Sequence, residues 1–580
     1  MDGRRKGSWY GGWTGVCWLR LALAVLGAYG WTGWAGEVWP YLAVWSFNSE
    51  PPDGRATTGR WEPVSGWGVV RLVGGMTGDF GSGAGSSDPA VADNSALVIR
   101  NGPAQGTGNK QHGLELELNP FGWRPVALLL DVRAEEGASR YWRVQFRAGT
   151  GSWTDGSVLE LRSGLWVWCV RVDLPAWAEG AESLGIRIVS EFEASARGRG
   201  AAAYVAAGDR SAYDPAGGLW VDHVRVVGQP VLERVRAVTW NLSGFGVTNW
   251  GVEHPQLMAA ARVLRALDPV VVGFEEVPEG RESEMTNWVR SWWPGATVAV
   301  GTRTDGALRL AVASRLPVGG VRSWLRRASL SPWGYEGVFT RELLEAEIWV
   351  PGCAEPMHLF VVHLKAGGDA DSAARRAAEA LAISNFFATT WPARSRGRAM
   401  MLAGDCNEDL ARPRAGEQGA VRILAGSPPG LTVLTPVNPV TRDERTWSIR
   451  DSVLRYRFDY LLVGGWLVTN LVESGVFRSD VAGAGAVQPE DSRTASDHLP
   501  VWAGFANPGA IPRSVLARDT SGTWRLSWWM AQGVRYRVES SVDLGEWLLV
   551  TEGVAVRPGY WTIAVGGGGG PRFFRVLRLE

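Results

Sequence analysis

Cysteine is scarce in this 580-residue chain, which holds four. Four cannot staple a chain of this length, so a disulfide scaffold is excluded. Cys17 falls in a segment expected to be removed, and Cys169, Cys353 and Cys406 form no C-x-x-C and no Cys/His cluster, which argues against a structural zinc and a redox pair. Lysine is scarcer still, at positions 6, 110 and 365 only, so almost every cation is arginine; that skew reads as coding bias before it reads as phosphate binding. Neither sign of charge dominates, with 59 basic and 59 acidic residues. A disordered acidic tail and a chain that is polybasic throughout are therefore both excluded. Beyond the N-terminus no run reaches the roughly eighteen apolar residues of a spanning helix, so no stable membrane insertion is expected once the leader is cleaved.

Glycine (75) and tryptophan (33) are plentiful, and short apolar runs alternate with Gly, Pro, Asn and Asp, the pattern of a β-rich protein with many turns. The length suggests about three domains. Residues 1–35 combine Arg4, Arg5 and Lys6, an apolar stretch from Leu21 to about Trp31, and Gly33-Trp34-Ala35. These are the parts of a signal peptide cleaved near Ala35, and they predict a secreted, periplasmic or cell-surface protein.

Residues 36–230 read as strands without a helical period, which predicts a β-sandwich of jelly-roll type, with an exposed insertion at 194–218. Trp142, Trp153, Trp166, Trp168 and Trp220 are either core or a platform for glycan contact. Residues 507–580 predict a small C-terminal β module for attachment or spacing. In 232–506 strands alternate with helices, so an α/β layer arrangement is expected. Leu257, Ala261, Leu264 and Leu267 share a helical face after Pro255, and Ser372 is the expected cap of an alanine-rich helix running to Phe387.

Six apolar strands of this middle region end on polar residues: Asn241, Glu276, His363, Asp405 with Asn407, Asp459, and Asp497 with His498. One such residue would be an ordinary solvated strand end. Eight acids, amides and imidazoles on six strands make sense together where packed strands converge on one rim.

The motifs Thr239-Trp-Asn-Leu242, Val272-Gly-Phe-Glu-Glu-Val277, Val362-His-Leu-Lys365, Ala403-Gly-Asp-Cys-Asn407, Phe458-Asp-Tyr-Leu-Leu462 and Ser496-Asp-His-Leu-Pro500 resemble the endonuclease/exonuclease/phosphatase superfamily. The family includes deoxyribonuclease I-like metal-dependent phosphoesterases, and the motifs cover nearly half the chain. Glu275 stands where Gln is usual, and Cys406 replaces a usual Phe. The resemblance implies a central four-layer α/β sandwich and a Mg2+ (or Mn2+ or Ca2+) site. It implies Glu276 as a metal ligand supported by Asn241, with Asp497 a further metal or water contact. By the same resemblance Asp405 activates water, Asn407 contacts the phosphate, and His363 and His498 donate to phosphate oxygens, with Asp459 orienting His498. Arg315 and Arg341 resemble cleft-side strand starts that bind substrate, and Lys365 reads equally as a surface lysine or a phosphate contact. His112, His223, His254 and His358 match no motif and read as surface or satisfied core residues.

The expected function is an exported phosphoesterase, with nucleic acid as the first choice of substrate. The alternatives are a phosphatase or sphingomyelinase-like phospholipid esterase, and a glycan-binding or adhesion protein whose middle domain is inactive.

Overall fold

The computed structural model describes residues 32–34 and 37–579, apart from 245–249, 303–305, 392–397, 429, 452, 483–484, 486, 511–513, 519–522, 531–533, 543–545, 557–558 and 566–572. Most of the expected leader, and the cleavage point at Ala35, lie outside the described residues.

Two antiparallel sheets form the first unit. One runs Thr154–Glu160, Tyr141–Ala148, Leu184–Glu191, Gly113–Leu118, Val69–Val73; the other centres on Trp123–Ala134 and Leu219–Pro230. A single apolar cluster, including Trp45, Leu116, Leu130, Trp142 and Val224, fills the space between them. The segment after Ala194 is not the fully exposed insertion that its Gly, Ala and Arg content suggested. Tyr204, Ala206 and Ala207 are buried, and Tyr204 stacks on Tyr213 with ring centroids 4.7 Å apart, so one aromatic pair pins the segment down.

The middle unit contains two six-stranded sheets. The first has the order Thr297–Val300, Leu308–Ser314, Val271–Pro278, Arg234–Asn241, Val501–Ala506, Leu471–Val476, and the second Val318–Trp324, Leu343–Ile348, Met357–His363, Met400–Asp405, Asp459–Gly464, Thr432–Val433. Alternation along each strand divides its residues between two faces. On the inner faces Val235, Ala237 and Val271 of the first sheet meet Leu359, Val361, Met401, Ala403 and Leu461 of the second in one apolar cluster. Trp240, Val272 and Phe274 face outward against helices Pro255–Leu267 and Glu282–Trp292. Phe360, Leu402 and Tyr460 face outward against helices Ala370–Thr389 and Ala420–Ala425.

Helix Pro255–Leu267 starts on Pro at its first turn and stops at left-handed Asp268. Helix Ala370–Thr389 begins earlier than the sequence suggested. Its cap is Asp369, whose carboxylate accepts the Ser372 backbone N–H at 2.9 Å and the Ser372 hydroxyl at 2.8 Å, so Ser372 is a donor inside the first turn.

The last unit has two three-stranded sheets around a small core of Leu526, Trp528, Met530, Tyr536 and Val538. Residues 507–510 pack with the middle unit instead. Asn507 Nδ2 donates to the Leu232 and Pro351 carbonyls, both at 2.9 Å, and Ala510 is buried. The boundary expected before Asn507 therefore cuts through a hydrogen-bonded knot.

Candidate active site

The inner-face rows that form the apolar core continue into polar residues at one end. Along Arg234–Asn241 the inner row is Val235, Ala237, Thr239, Asn241; along Met357–His363 it ends on His363; along Met400–Asp405 it ends on Asp405. Register then aligns them. Asn241 lies opposite Glu275, His363 opposite Asp405, and Asp405 opposite Asp459. This row is possible because Gly404 adopts φ +142° with its missing Cβ against the Val362 carbonyl; any side chain there would push the two strands apart.

Glu275 and Glu276 would point to opposite faces of a regular strand. A bulge between Phe274 and Val277, with Glu276 at φ +61°, breaks the alternation. The Asn241 amide then donates to Glu276 Oε1 and to Asp405 Oδ2, both at 3.1 Å, while its oxygen accepts the Ser243 amide at 2.8 Å. Asn241 thus ties two carboxylates together through its NH2 and spends its own oxygen on the backbone.

His498 is held by its chain neighbours and by the rim. Its N–H is accepted by Ser496 Oγ at 2.9 Å, the Trp240 indole donates to its carbonyl at 2.9 Å, and its Nδ1 lies 2.8 Å from Asp459 Oδ2. The His498 Nε2 is 3.7 Å from Asp405 Oδ2, and the His363 Nε2 is 3.4 Å from the same oxygen. Asp405 Oδ1 accepts the Asn407 amide at 2.7 Å, and Asn407 itself takes φ +50°, which Asn tolerates. Asp405, Asp459 and His498 offer ligand atoms within 4.8 Å of one another.

The protonation states follow from burial and from these neighbours. Burial pushes the Asp405 carboxyl up to about 7, with His498 opposing and Asp459 adding to the rise. Burial disfavours charge on His498, yet the Asp459 and Asp405 carboxylates outweigh it and hold this imidazole protonated, well above its ordinary range. His363 goes the other way: burial, then Arg341, His498 and Lys365, hold it well below, so it is neutral. Burial raises Asp497, but the His498 imidazolium, Ser243, Trp447 and Arg450 together outweigh it and leave this carboxyl low.

No family model matches the chain, and no curated protein matches it. Among solved structures the chain is similar to D. rerio TDP2 complexed with a single-strand DNA product, at 13% identity over 47% of this chain and 99% of that one, TM-score 0.34. It is similar to NExo, a 3′ phosphatase from Neisseria bound to a product DNA hairpin, at 18% identity over 47% and 100%, TM-score 0.34. A third is an endonuclease/exonuclease/phosphatase family protein from Bacteroides thetaiotaomicron, at 15% identity over 47% and 94%, TM-score 0.33.

Asn241, Glu276, His363, Asp405, Asn407, Asp459, Asp497 and His498 all lie at this rim. Lys365 follows His363, and among the described residues no hydrogen bond or ion pair holds its ammonium. The two arginines differ from expectation. Arg315 lies at the opposite end of its sheet, just beyond the Ser314–Val271 pairing, where its guanidinium pairs with Asp268 at 2.9 Å and stacks 4.2 Å from Phe121. It faces the first unit, because the strand it follows runs away from the rim. Arg341 is at the rim end but buried, with Nη1 donating to the His363 and Leu364 carbonyls at 3.1 and 3.2 Å. It is held against the backbone at the end of the His363 strand. Trp324, the last residue of its strand, turns inward onto Phe386 and donates to Glu345 Oε2.

Trp447, Tyr456 and Arg414, grouped around the motif residue Phe458, carried no sequence signal. Trp447 donates to Asp497 Oδ2 at 3.1 Å and stacks on Phe458 at 5.2 Å, Phe458 stacks on Tyr456 at 5.2 Å, and Arg414 lies 5.0 Å over Phe458. Trp447 and Asp497 are fifty residues apart in the chain, and nothing local links them. Glu275, noted only as a departure from the usual Gln, is fully buried beside Asp459 and accepts the Thr239 hydroxyl at 2.8 Å.

Proposed function

We propose that the chain is an exported, divalent-metal-dependent phosphoesterase whose middle unit is a four-layer α/β sandwich, and that it hydrolyses phosphodiester bonds of nucleic acid. The observation that carries this is the Asp405 carboxylate set between two imidazoles of opposite protonation state, His363 at 3.4 Å and His498 at 3.7 Å.

Glu276, Asp405 and Asp497 supply hard carboxylate oxygens of the kind Mg2+, Mn2+ and Ca2+ accept, and the single Asn241 NH2 holds two of those carboxylates in one place. When bound, the cation offsets charge on the phosphoryl oxygens and leaving group. The rest falls to the chain. Asp405 takes the proton of the attacking water as its oxygen forms the new P–O bond, and the P–O bond to the leaving oxygen breaks. The His498 imidazolium donates from Nε2 to a phosphoryl oxygen, with Nδ1 fixed by Asp459. Neutral His363 donates one further N–H, and Asn407 and Lys365 sit beside the same phosphate.

The stacked Trp447, Phe458 and Tyr456, with Trp447 and Tyr456 half-buried, favour a substrate with flat bases next to the scissile phosphate. Val440 and Val453, exposed on either side of Trp447 in the chain, favour a lipid headgroup as the second reading. The first β unit, where Trp142 is core while Trp168 is 53% exposed, and the last one serve attachment or glycan contact.

Purified protein should be incubated with plasmid, RNA, sphingomyelin and a generic phosphodiester, with and without chelator. Chelator-sensitive cleavage of plasmid or RNA supports the nuclease reading; cleavage of sphingomyelin alone replaces it with the lipid one. No hydrolysis of any of the four overturns both.

A further inference from the structure

The first unit contains a second concentration of hard oxygen atoms, far along the chain from the rim residues. Asp131 and Asp222 are both fully buried, on neighbouring strands paired with each other in register. The Asp131 carboxylate is satisfied: it accepts the Ser87 amide and, at 2.7 Å, the Cys169 amide. Asp222 is only half satisfied. Its Oδ1 accepts the His223 amide at 2.7 Å, while its buried Oδ2 has no partner of good geometry, and the Ser86 hydroxyl is the side-chain donor that reaches this carboxylate.

That oxygen points at another of the same kind. Asn94 donates its NH2 to the Ala90 carbonyl at 3.3 Å, which fixes the amide and turns its oxygen the other way; this Oδ1 is also buried and lacks a donor. Both oxygens converge on the space above Gly83. A Cβ placed on Gly83 would come within 1.8 Å of Asn94 Oδ1 and 2.7 Å of Asp222 Oδ2, so only glycine leaves the gap open. The Ser86 hydroxyl borders the same carboxylate, and the Asp88 and Asp131 charges reach it.

Two acceptor oxygens held face to face in a buried place are unfavourable unless something positive lies between them. Among the described residues neither Asp131 nor Asp222 has an ion pair. The one cation at hand, buried Arg225, is turned to the His223 carbonyl at 3.2 Å and to Cys169 Sγ at 3.4 Å. Asp88, Asp131 and Asp222 then share one guanidinium, and burial raises the carboxyls of Asp88 and Asp222, a place where a further positive charge is favoured.

We propose that Asp222 Oδ2, Asn94 Oδ1 and the Ser86 hydroxyl form a Ca2+ site that pins the 83–94 segment to strand Leu219–Pro230. Ca2+ suits a mixed carboxylate, amide and hydroxyl set of irregular geometry, completed by water, better than octahedral Mg2+ does. The site is structural and separate from hydrolysis.

Calcium titration calorimetry on the full chain tests it, with the Glu276→Ala, Asp222→Ala and Asn94→Ala variants. The unaltered chain and Glu276→Ala should share one class of Ca2+ sites of roughly one equivalent, which Asp222→Ala and Asn94→Ala both lose while keeping Mg2+-supported hydrolysis. Ca2+ should also raise the thermal midpoint of the unaltered chain more than that of either N-terminal variant. If Asp222→Ala does not fold, Asn94→Ala decides alone, since its side chain is only half-buried. Equal Ca2+ binding in Asn94→Ala and the unaltered chain would overturn the site, as would the absence of any class that Glu276→Ala retains; a proton on Asp222 would then be what joins the two oxygens.

Discussion

Asp405 and Asp459 face each other across two antiparallel strands in register, both fully buried on the inner face of the same sheet. Two carboxylates so placed cannot both be charged without a cation between or beside them. His498 supplies one such charge, touching Asp459 at 2.8 Å through Nδ1 and approaching Asp405 at 3.7 Å through Nε2.

Replacing Asp459 with Asn keeps the shape of the contact and removes the charge that most favours the imidazolium. The His498 pKa should then fall. Because the raised pKa keeps His498 charged toward alkaline pH, the alkaline limb of the rate profile should move to lower pH in Asp459→Asn. In a double-mutant cycle Asp459→Asn and His498→Ala should be strongly non-additive in rate; additive losses with an unmoved limb would show that the two act independently.

Asp405 carries the opposite signature. Its carboxyl is raised to about 7, so in the metal-free chain the stabilisation from its bound proton is complete below the ordinary carboxylate pKa and is lost as pH rises through about 7. Calorimetric melting in chelator should show the midpoint falling across that window. Asp405→Asn should flatten the fall, and Mg2+ should lessen it in the unaltered chain. A midpoint that rises more steeply with pH in the unaltered chain than in Asp405→Asn would contradict the assignment.

Arg341 offers a test of positioning. With its two carbonyl bonds gone, Arg341→Ala should lower kcat by roughly ten- to a hundredfold with a smaller change in KM, as for other residues that orient a reacting group. It also removes a charge that depresses His363, so the His363 pKa, followed by NMR, should rise. Equal losses in KM and no change at His363 would place Arg341 in the substrate site.

Much of this rim was legible because it is written in single strands. A period of two, an apolar inner row and a polar residue at one strand end are local properties, so Asn241, His363, Asp405 and Asp459 could be read before any packing was known. Glu276 is at the rim only because of a bulge at φ +61°, which no propensity announces. Arg315, expected at a cleft-side strand start, instead follows the end of strand Leu308–Ser314, and the sequence does not show that this strand runs away from the rim toward the first unit. Arg341, expected to bind substrate, is buried with its guanidinium on the His363 and Leu364 carbonyls, and burial is a tertiary property that the sequence does not show. Trp447 could not be found at all, since its partner Asp497 is brought to it by the fold.

The Asn507 contacts make a further prediction about independence. A fragment of 231–510 keeps the bonds from Asn507 to Leu232 and Pro351 and should fold and hydrolyse a small soluble diester. A fragment ending at 506 should melt several degrees lower. If the longer fragment is well folded but inactive while the full chain works, the flanking units complete the site.

The central claim is that hydrolysis depends on a divalent cation held through Glu276. The direct measurement is the rate on a generic phosphodiester for the full chain and for Glu276→Ala, each with Mg2+ and with excess chelator, at equal far-UV circular dichroism. The unaltered chain should lose its activity in chelator and regain it with Mg2+, and Glu276→Ala should be slower by about a hundredfold or more in Mg2+. Chelator-resistant hydrolysis together with an unimpaired Glu276→Ala would contradict the account.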